Sequence, residues 1–143
     1  MSTRPPRGTA RPGGAPLPEF DPLTRFYWTS GADGVLRILR CHRCDRWVHP
    51  PTPCCLLCGN ELAAEPVSGR GSVASWTVNH HPWTQGMEVP FIIAVIELLE
   101  QARLYVVSNL ACAPEEVYVG LPVVVLFEPV EDVWFPVFRP VGS

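Results

Sequence analysis

Six cysteines occur in the chain, and four of them form two close pairs. Cys41-His42-Arg43-Cys44 is followed by ten residues and then by Cys55-Leu56-Leu57-Cys58-Gly59. A Cys-x-x-Cys turn brings two sulfurs to one side of the backbone, and two such knuckles supply a tetrahedral set of four thiolates. That set suits a structural zinc ion, because no position is left open for a reacting water. The gap between the pairs is shorter than in many such patterns, but Pro50, Pro51 and Pro53 suit a compact loop. Cys41, Cys44, Cys55 and Cys58 are the expected ligands. Iron fits the same four sulfurs, and residue types alone leave the metal open. Cys54, His42 and His49 stand close enough to substitute, although Cys54 would break the two-residue spacer. A redox Cys-x-x-Cys opens a helix after a strand, and no helical pattern follows either pair.

Other chemistry-bearing residues form no catalytic set. His80-His81 precedes Pro82 at the end of a strand-like run and reads as a solvated loop start. Ser68-Gly69-Arg70-Gly71 is too short for a phosphate-binding P-loop and reads as a bend entering the next element. Glu115 and Glu116 sit at a turn, and Cys112 is a small, isolated thiol. No catalytic constellation among them rises above background.

Composition narrows the class further. Apolar residues make up 47% and charged residues 17%, which allows a substantial core in 143 residues. The net charge of −3 argues against nucleic acid, whose affinity comes from neutralised phosphates. No run approaches the roughly 20 apolar residues of a membrane helix. The N-terminus lacks the apolar core of a secretory signal, so the expected compartment is the cytoplasm. There clustered thiols serve metals rather than disulfides.

The elements that must position the cysteines follow from pattern. Residues 1–18 are rich in Pro, Gly and Arg (Arg4, Arg7, Arg11) and cannot offset their ordering entropy, so a disordered arm is expected. Over 19–34, Asp21-Pro22 is a helix start. Leu23, Phe26 and Tyr27 then share a face, and a stop is expected near Gly31. So short a helix needs a docking surface for Phe20, Phe26, Tyr27 and Trp28, either in this chain or in a partner. Residues 35–66 form the zinc ribbon, entered by an alternating strand Val35 to Arg40. Its Trp47, Val48, Leu56 and Leu57 either pack on the following domain or form a contact surface. Over 67–143 five strands are expected: Val73–His80, Phe91–Leu99, Leu104–Leu110, Val123–Glu128 and Val133–Phe138. Glu100-Gln101-Ala102 reads as a hairpin link. Five short strands close most economically as an OB-fold barrel, which leaves no sticky edge. The fold class is thus mainly β: a short N-terminal helix, a rubredoxin-like zinc ribbon and a five-stranded OB-fold barrel.

Taken in order, these motifs resemble a known family. Phe26-Tyr27-Trp28 is followed by the four cysteines around Pro50-Pro51, then by Ser68-Gly69-Arg70-Gly71-Ser72-Val73 and Trp76-Thr77-Val78 with His80. Pro90-Phe91, Ser108-Asn109-Leu110, Gly120-Leu121-Pro122-Val123 and Pro136-Val137-Phe138-Arg139-Pro140 complete the set. The chain is similar, over about residues 20 to 140, to the zinc ribbon plus OB-fold proteins associated with acyl-CoA metabolism, a former domain of unknown function. It departs from them mildly: Leu56 stands where Pro is usual, and Asp45 where Gly often follows the first knuckle. The resemblance implies a non-catalytic accessory subunit of a thiolase-like enzyme, either a thiolase or a retro-aldolase of the sterol-carrier-protein type. A MaoC-like hydratase is a second implied partner, and acyl-CoA an implied ligand. Arg70, Arg103 and Arg139 are then candidates for coenzyme A phosphates, and Phe26, Tyr27, Trp28 and Trp47 for the partner interface. The alternative reading, from architecture alone, is an OB-fold single-stranded nucleic-acid-binding protein.

Overall fold

The structure is a computed structural model that describes residues 11–12, 17–18, 21–82 and 88–142. Most of the expected arm over 1–18, together with Phe20, lies outside them. Asp21 caps the first turn as its type predicts, accepting hydrogen bonds through Oδ1 from the N–H groups of Leu23 and Thr24 (2.8 and 2.9 Å). The α-helix itself is shorter than expected. It runs Arg25–Thr29 (α1) and tightens into a 3-10 turn over Ser30–Asp33. Gly34 then takes φ 77°, which ends the helix at little cost for a residue without Cβ.

Three short strands build the ribbon. β1 (Arg37–Cys41) is central, with β2 (Arg46–Val48) and β3 (Ala63–Pro66) antiparallel on either side. The long strand β4 (Arg70–Asn79) then opens the second sheet. It is followed by β5 (Phe91–Leu98), β6 (Tyr105–Asn109), β7 (Pro122–Val130) and β8 (Val133–Pro140), in the order β6-β5-β4-β7-β8. The two ends of that sheet meet. Leu110 forms a parallel bridge to Phe138, Ala111 N–H donates to the Phe138 carbonyl at 2.7 Å, and Ser108 Oγ donates to the Pro136 carbonyl at 2.8 Å. A five-stranded sheet closed in this way, with its third strand meeting its fifth, is the expected OB-type barrel.

β4 serves both neighbours over only part of its length. Arg70 to Ser72 pair with β7, while Gly71 to Asn79 pair with β5, across a bulge at Ala74. A Cβ on Gly71 would lie 2.3 Å from the Glu97 carbonyl oxygen, so glycine is what lets three strands meet there. Prolines Pro129, Pro136 and Pro140 lie inside the β7–β8 pair, which extends past the expected end at Glu128. Their placement explains the tolerance. Val125 N–H points to the Gly69 carbonyl, away from β8. By alternation, Val123, Val125, Phe127 and Pro129 all face β8 as non-hydrogen-bonded pairs. Each proline of the ladder therefore occupies a position where no cross-strand N–H is needed.

The barrel interior and the ribbon share one core. Leu36 and Ile38 from the ribbon side, Val73, Ile96, Leu98, Val106, Val123 and Phe138 from the barrel, and Tyr27 of α1 are all buried in it. Phe26, Trp28 and Trp47 pack against it half-buried, so the helix docks on its own chain. Trp28 lies edge-on to Phe135 of β8 at 5.8 Å. The Arg11 guanidinium lies over the Phe135 ring, 4.1 Å from its centre.

Candidate metal centre and adjoining cleft

Cys41 ends β1 and Cys44 lies in the turn to β2. Cys55 and Cys58 occupy the second turn, before β3. Their four sulfurs all lie within 4.8 Å of one another. Cys41 and Cys58 sulfurs are 3.5 Å apart, and Cys44 and Cys55 sulfurs 3.9 Å. A zinc–sulfur bond of about 2.3 Å in a tetrahedron places sulfurs about 3.8 Å apart, so the cluster has the right size. The Cys44 N–H points at the Cys41 sulfur (3.4 Å), and the Gly59 N–H donates to the Cys55 carbonyl (2.8 Å). The residue after each knuckle is left-handed: Asp45 at φ 53° and Gly59 at φ 76°. Asp tolerates that region better than most residues, and Asp45 also pairs with Arg40, whose guanidinium stacks on Trp47 at 4.7 Å.

Without metal charge, four crowded thiols resist ionising together. Hydrogen bonding to Cys58 pushes the Cys44 thiol up to about 12. Backbone N–H donors, Cys58 first and then Leu57, bring Cys55 down to about 6. A doubly charged ion supplies the field that holds all four as thiolates. The three substitute ligands are placed elsewhere. Cys54 is outside the cluster, His42 pairs with Glu65 of β3, and the His49 ring lies 5.2 Å from that of Tyr27.

His49 leads to a second feature. Thr24, Tyr27, Trp28, His49, Pro50, Pro51, Arg103, Tyr105 and Val107 line a half-open cleft of about 500 Å³. Helix, ribbon and barrel each supply one wall. His49 Nδ1 is buried there without a hydrogen-bond partner, and burial lowers its pKa to about 4. The hairpin between β5 and β6 fixes the walls. The Gln101 side-chain amide bonds the Trp47 backbone twice, accepting from N–H at 2.9 Å and donating to the carbonyl at 3.0 Å. The neighbouring Glu100 carboxylate accepts from Ser68 N–H at 2.8 Å. The sequence marks Glu100-Gln101-Ala102 as a hairpin link but not as an anchor for the ribbon, since nothing local signals a partner 54 residues away.

The remaining candidates are dispersed. Arg70 and Arg139 flank Val124 in one cross-strand row of β4, β7 and β8. Arg103 stands apart in sequence, in the β5–β6 turn at φ 64°. Phe26, Trp28 and Trp47 are half-buried and Tyr27 is only 6% exposed. Leu56 and Leu57, at the tip of the second knuckle, are 79% and 70% exposed. His80 and His81 are exposed after β4.

Residues 28–62 match a family described as the ChsH2 rubredoxin-like zinc ribbon domain, and residues 64–128 one described as the ChsH2 C-terminal OB-fold domain. A DUF35 domain-containing scaffold protein of Methanocaldococcus jannaschii is 32% identical over 97 residues, which is 66% of this chain and 68% of that protein. The chain belongs to the DUF35 family. Its metal centre is accordingly the family's zinc ribbon, with a four-cysteine site for one zinc ion. A solved DUF35 structure, the Ltp2-ChsH2(DUF35) aldolase, matches with TM-score 0.77 and 35% identity, covering 87% of this chain and 98% of that one. A DUF35 protein of Sulfolobus solfataricus, at 16% identity and TM-score 0.57, shares the fold. Two longer relatives are hydratase subunits. The probable enoyl-CoA hydratase alpha subunit of Thermomonospora curvata is 37% identical over 128 residues, 87% of this DUF35 chain. The 3-oxo-4,17-pregnadiene-20-carboxyl-CoA hydratase alpha subunit of Mycobacterium tuberculosis is 36% identical over 106 residues, 70% of this chain. The chain spans 40% and 32% of their lengths.

Proposed function

We propose that this DUF35 chain is a non-catalytic subunit of an acyl-CoA enzyme, organising a thiolase-fold partner that performs thiolysis or retro-aldol cleavage. The observation that carries this reading is the match to nearly the whole of a chain in an aldolase structure, at 35% identity. The relatives named as hydratase alpha subunits extend the proposal to a MaoC-like hydratase as a second partner and to steroid side-chain substrates. The chain's own chemistry fits a supporting role. Its zinc set is closed by four thiols, so the ion shapes the ribbon and leaves no position for substrate. The Arg70–Arg139 row and Arg103 are the proposed contacts for coenzyme A phosphates, and Phe26, Trp28, Trp47 and an edge of Tyr27 the proposed partner contact. The proposed compartment is the cytoplasm, and no helix among the described residues is long and apolar enough to cross a membrane.

Reconstitution tests this directly. The chain alone should turn over no acyl-CoA thioester, and adding it to the isolated thiolase-fold enzyme should raise that enzyme's activity. Turnover by the chain alone would sink the proposal. So would a tight shift of labelled single-stranded DNA at physiological salt without effect on the enzyme, which would favour the nucleic-acid reading.

A further inference from the structure

The cleft between helix, ribbon and barrel is larger than the metal centre's role requires. At about 500 Å³ it falls within the range of small-molecule sites. Its walls are apolar: Tyr27, Trp28, Pro50, Pro51, Tyr105 and Val107. One of its polar groups points to a ligand. It is Arg103, the one charged residue among the described residues that line the cleft. Among the described residues no carboxylate pairs with its guanidinium, although Glu97 holds its backbone N–H at 2.8 Å.

We propose that this cleft binds an amphipathic anion, with an apolar body against the aromatic and proline walls and its anionic end on Arg103. Charge complementarity selects the sign, because the described residues of the lining include a cation and no acid. The inference rests on the acyl-CoA reading in taking Arg103 as the anion contact, but its test needs no enzyme partner, so either can fail without the other.

The probe is 8-anilino-1-naphthalenesulfonate, an aromatic body carrying one sulfonate, titrated into the zinc-loaded full chain with fluorescence as the readout. One saturable site is expected. Val107, 65% exposed, and Arg103 can be replaced without disturbing the core. Val107→Glu and Arg103→Gln should each weaken binding at least tenfold, while Arg103→Lys retains most of it. Leu57→Ser, at the exposed knuckle tip, should leave it unchanged. Decanoate or decyl phosphate should displace the probe, and whichever does so more tightly identifies a carboxylate or a phosphate as the natural head group. Decyltrimethylammonium should not displace it. The assignment is overturned if no saturable site exists, if Val107→Glu and Arg103→Gln bind like the parent, or if the cation competes as well as the anions.

Discussion

Asp45 and Gly59 hold equivalent places behind the two knuckles, both left-handed, yet only one is glycine. Asp45→Gly should remove the backbone cost and lose only an exposed pair with Arg40, so stability should stay within about 0.5 kcal/mol. Asp45→Val should cost about 1–2 kcal/mol, measured by denaturant unfolding of the zinc-loaded chain. Cys55→Ser should abolish stoichiometric zinc and unfold the ribbon, because binding free energy there is folding free energy. Metal analysis and circular dichroism would read both effects. His49 makes a pH prediction. Its folded pKa of about 4 lies below the 6.5 of an exposed imidazole, so the unfolded chain binds the extra proton first. That contribution to stability is complete above pH 6.5 and falls away between pH 6.5 and 4. It amounts to at most about 3.5 kcal/mol at roughly 1.4 kcal/mol per unit. Tyr27 shares the cleft with His49 and stays neutral in that window, since burial raises its pKa. Zinc loss at low pH affects parent and variant alike, so the slope difference between the parent and His49→Gln isolates the imidazole. Equal slopes would show that His49 is not the group responsible.

At the scale of elements, the junction of ribbon and barrel rests on the β5–β6 hairpin. Gln101→Ala removes two hydrogen bonds to the Trp47 backbone, worth about 1–3 kcal/mol together. Hydrogen exchange should quicken at Trp47 while zinc content stays constant, and unchanged exchange would mean that core packing alone holds the ribbon. Legibility from sequence divides along the same line between local and distant contacts. The four cysteine ligands could be read because a two-residue spacer forces each knuckle by itself. β5 could be read because Phe91 to Ile96 is an apolar run of strand length, and β6 because the short Glu100-Gln101-Ala102 link joins it to β5 as a hairpin. β2 and β3 could not, being three and four residues long with little buried surface. The run of β7 past Pro129 could not either, because its proline is tolerated only through a register set by β4. Gln101, the unpartnered His49 and the cleft arise from residues far apart in the chain, for which periodicity carries no signal.

For the whole molecule, helix, ribbon and barrel share one core, so the zinc ion supports more than the ribbon. Chelation should expose the His49–Pro51 wall and open the cleft, seen as a change in tryptophan emission with the barrel strands still protected from exchange. The central claim is that this unit serves an acyl-CoA enzyme rather than acting alone. The most direct test is to purify the tagged chain from its native host, identify its partners by mass spectrometry and analyse metal in the same eluate. A stoichiometric thiolase-fold protein, with about one zinc per chain, is the result this account predicts. A zinc-loaded chain that elutes with no such protein, in cells where the enzyme is expressed, would contradict it.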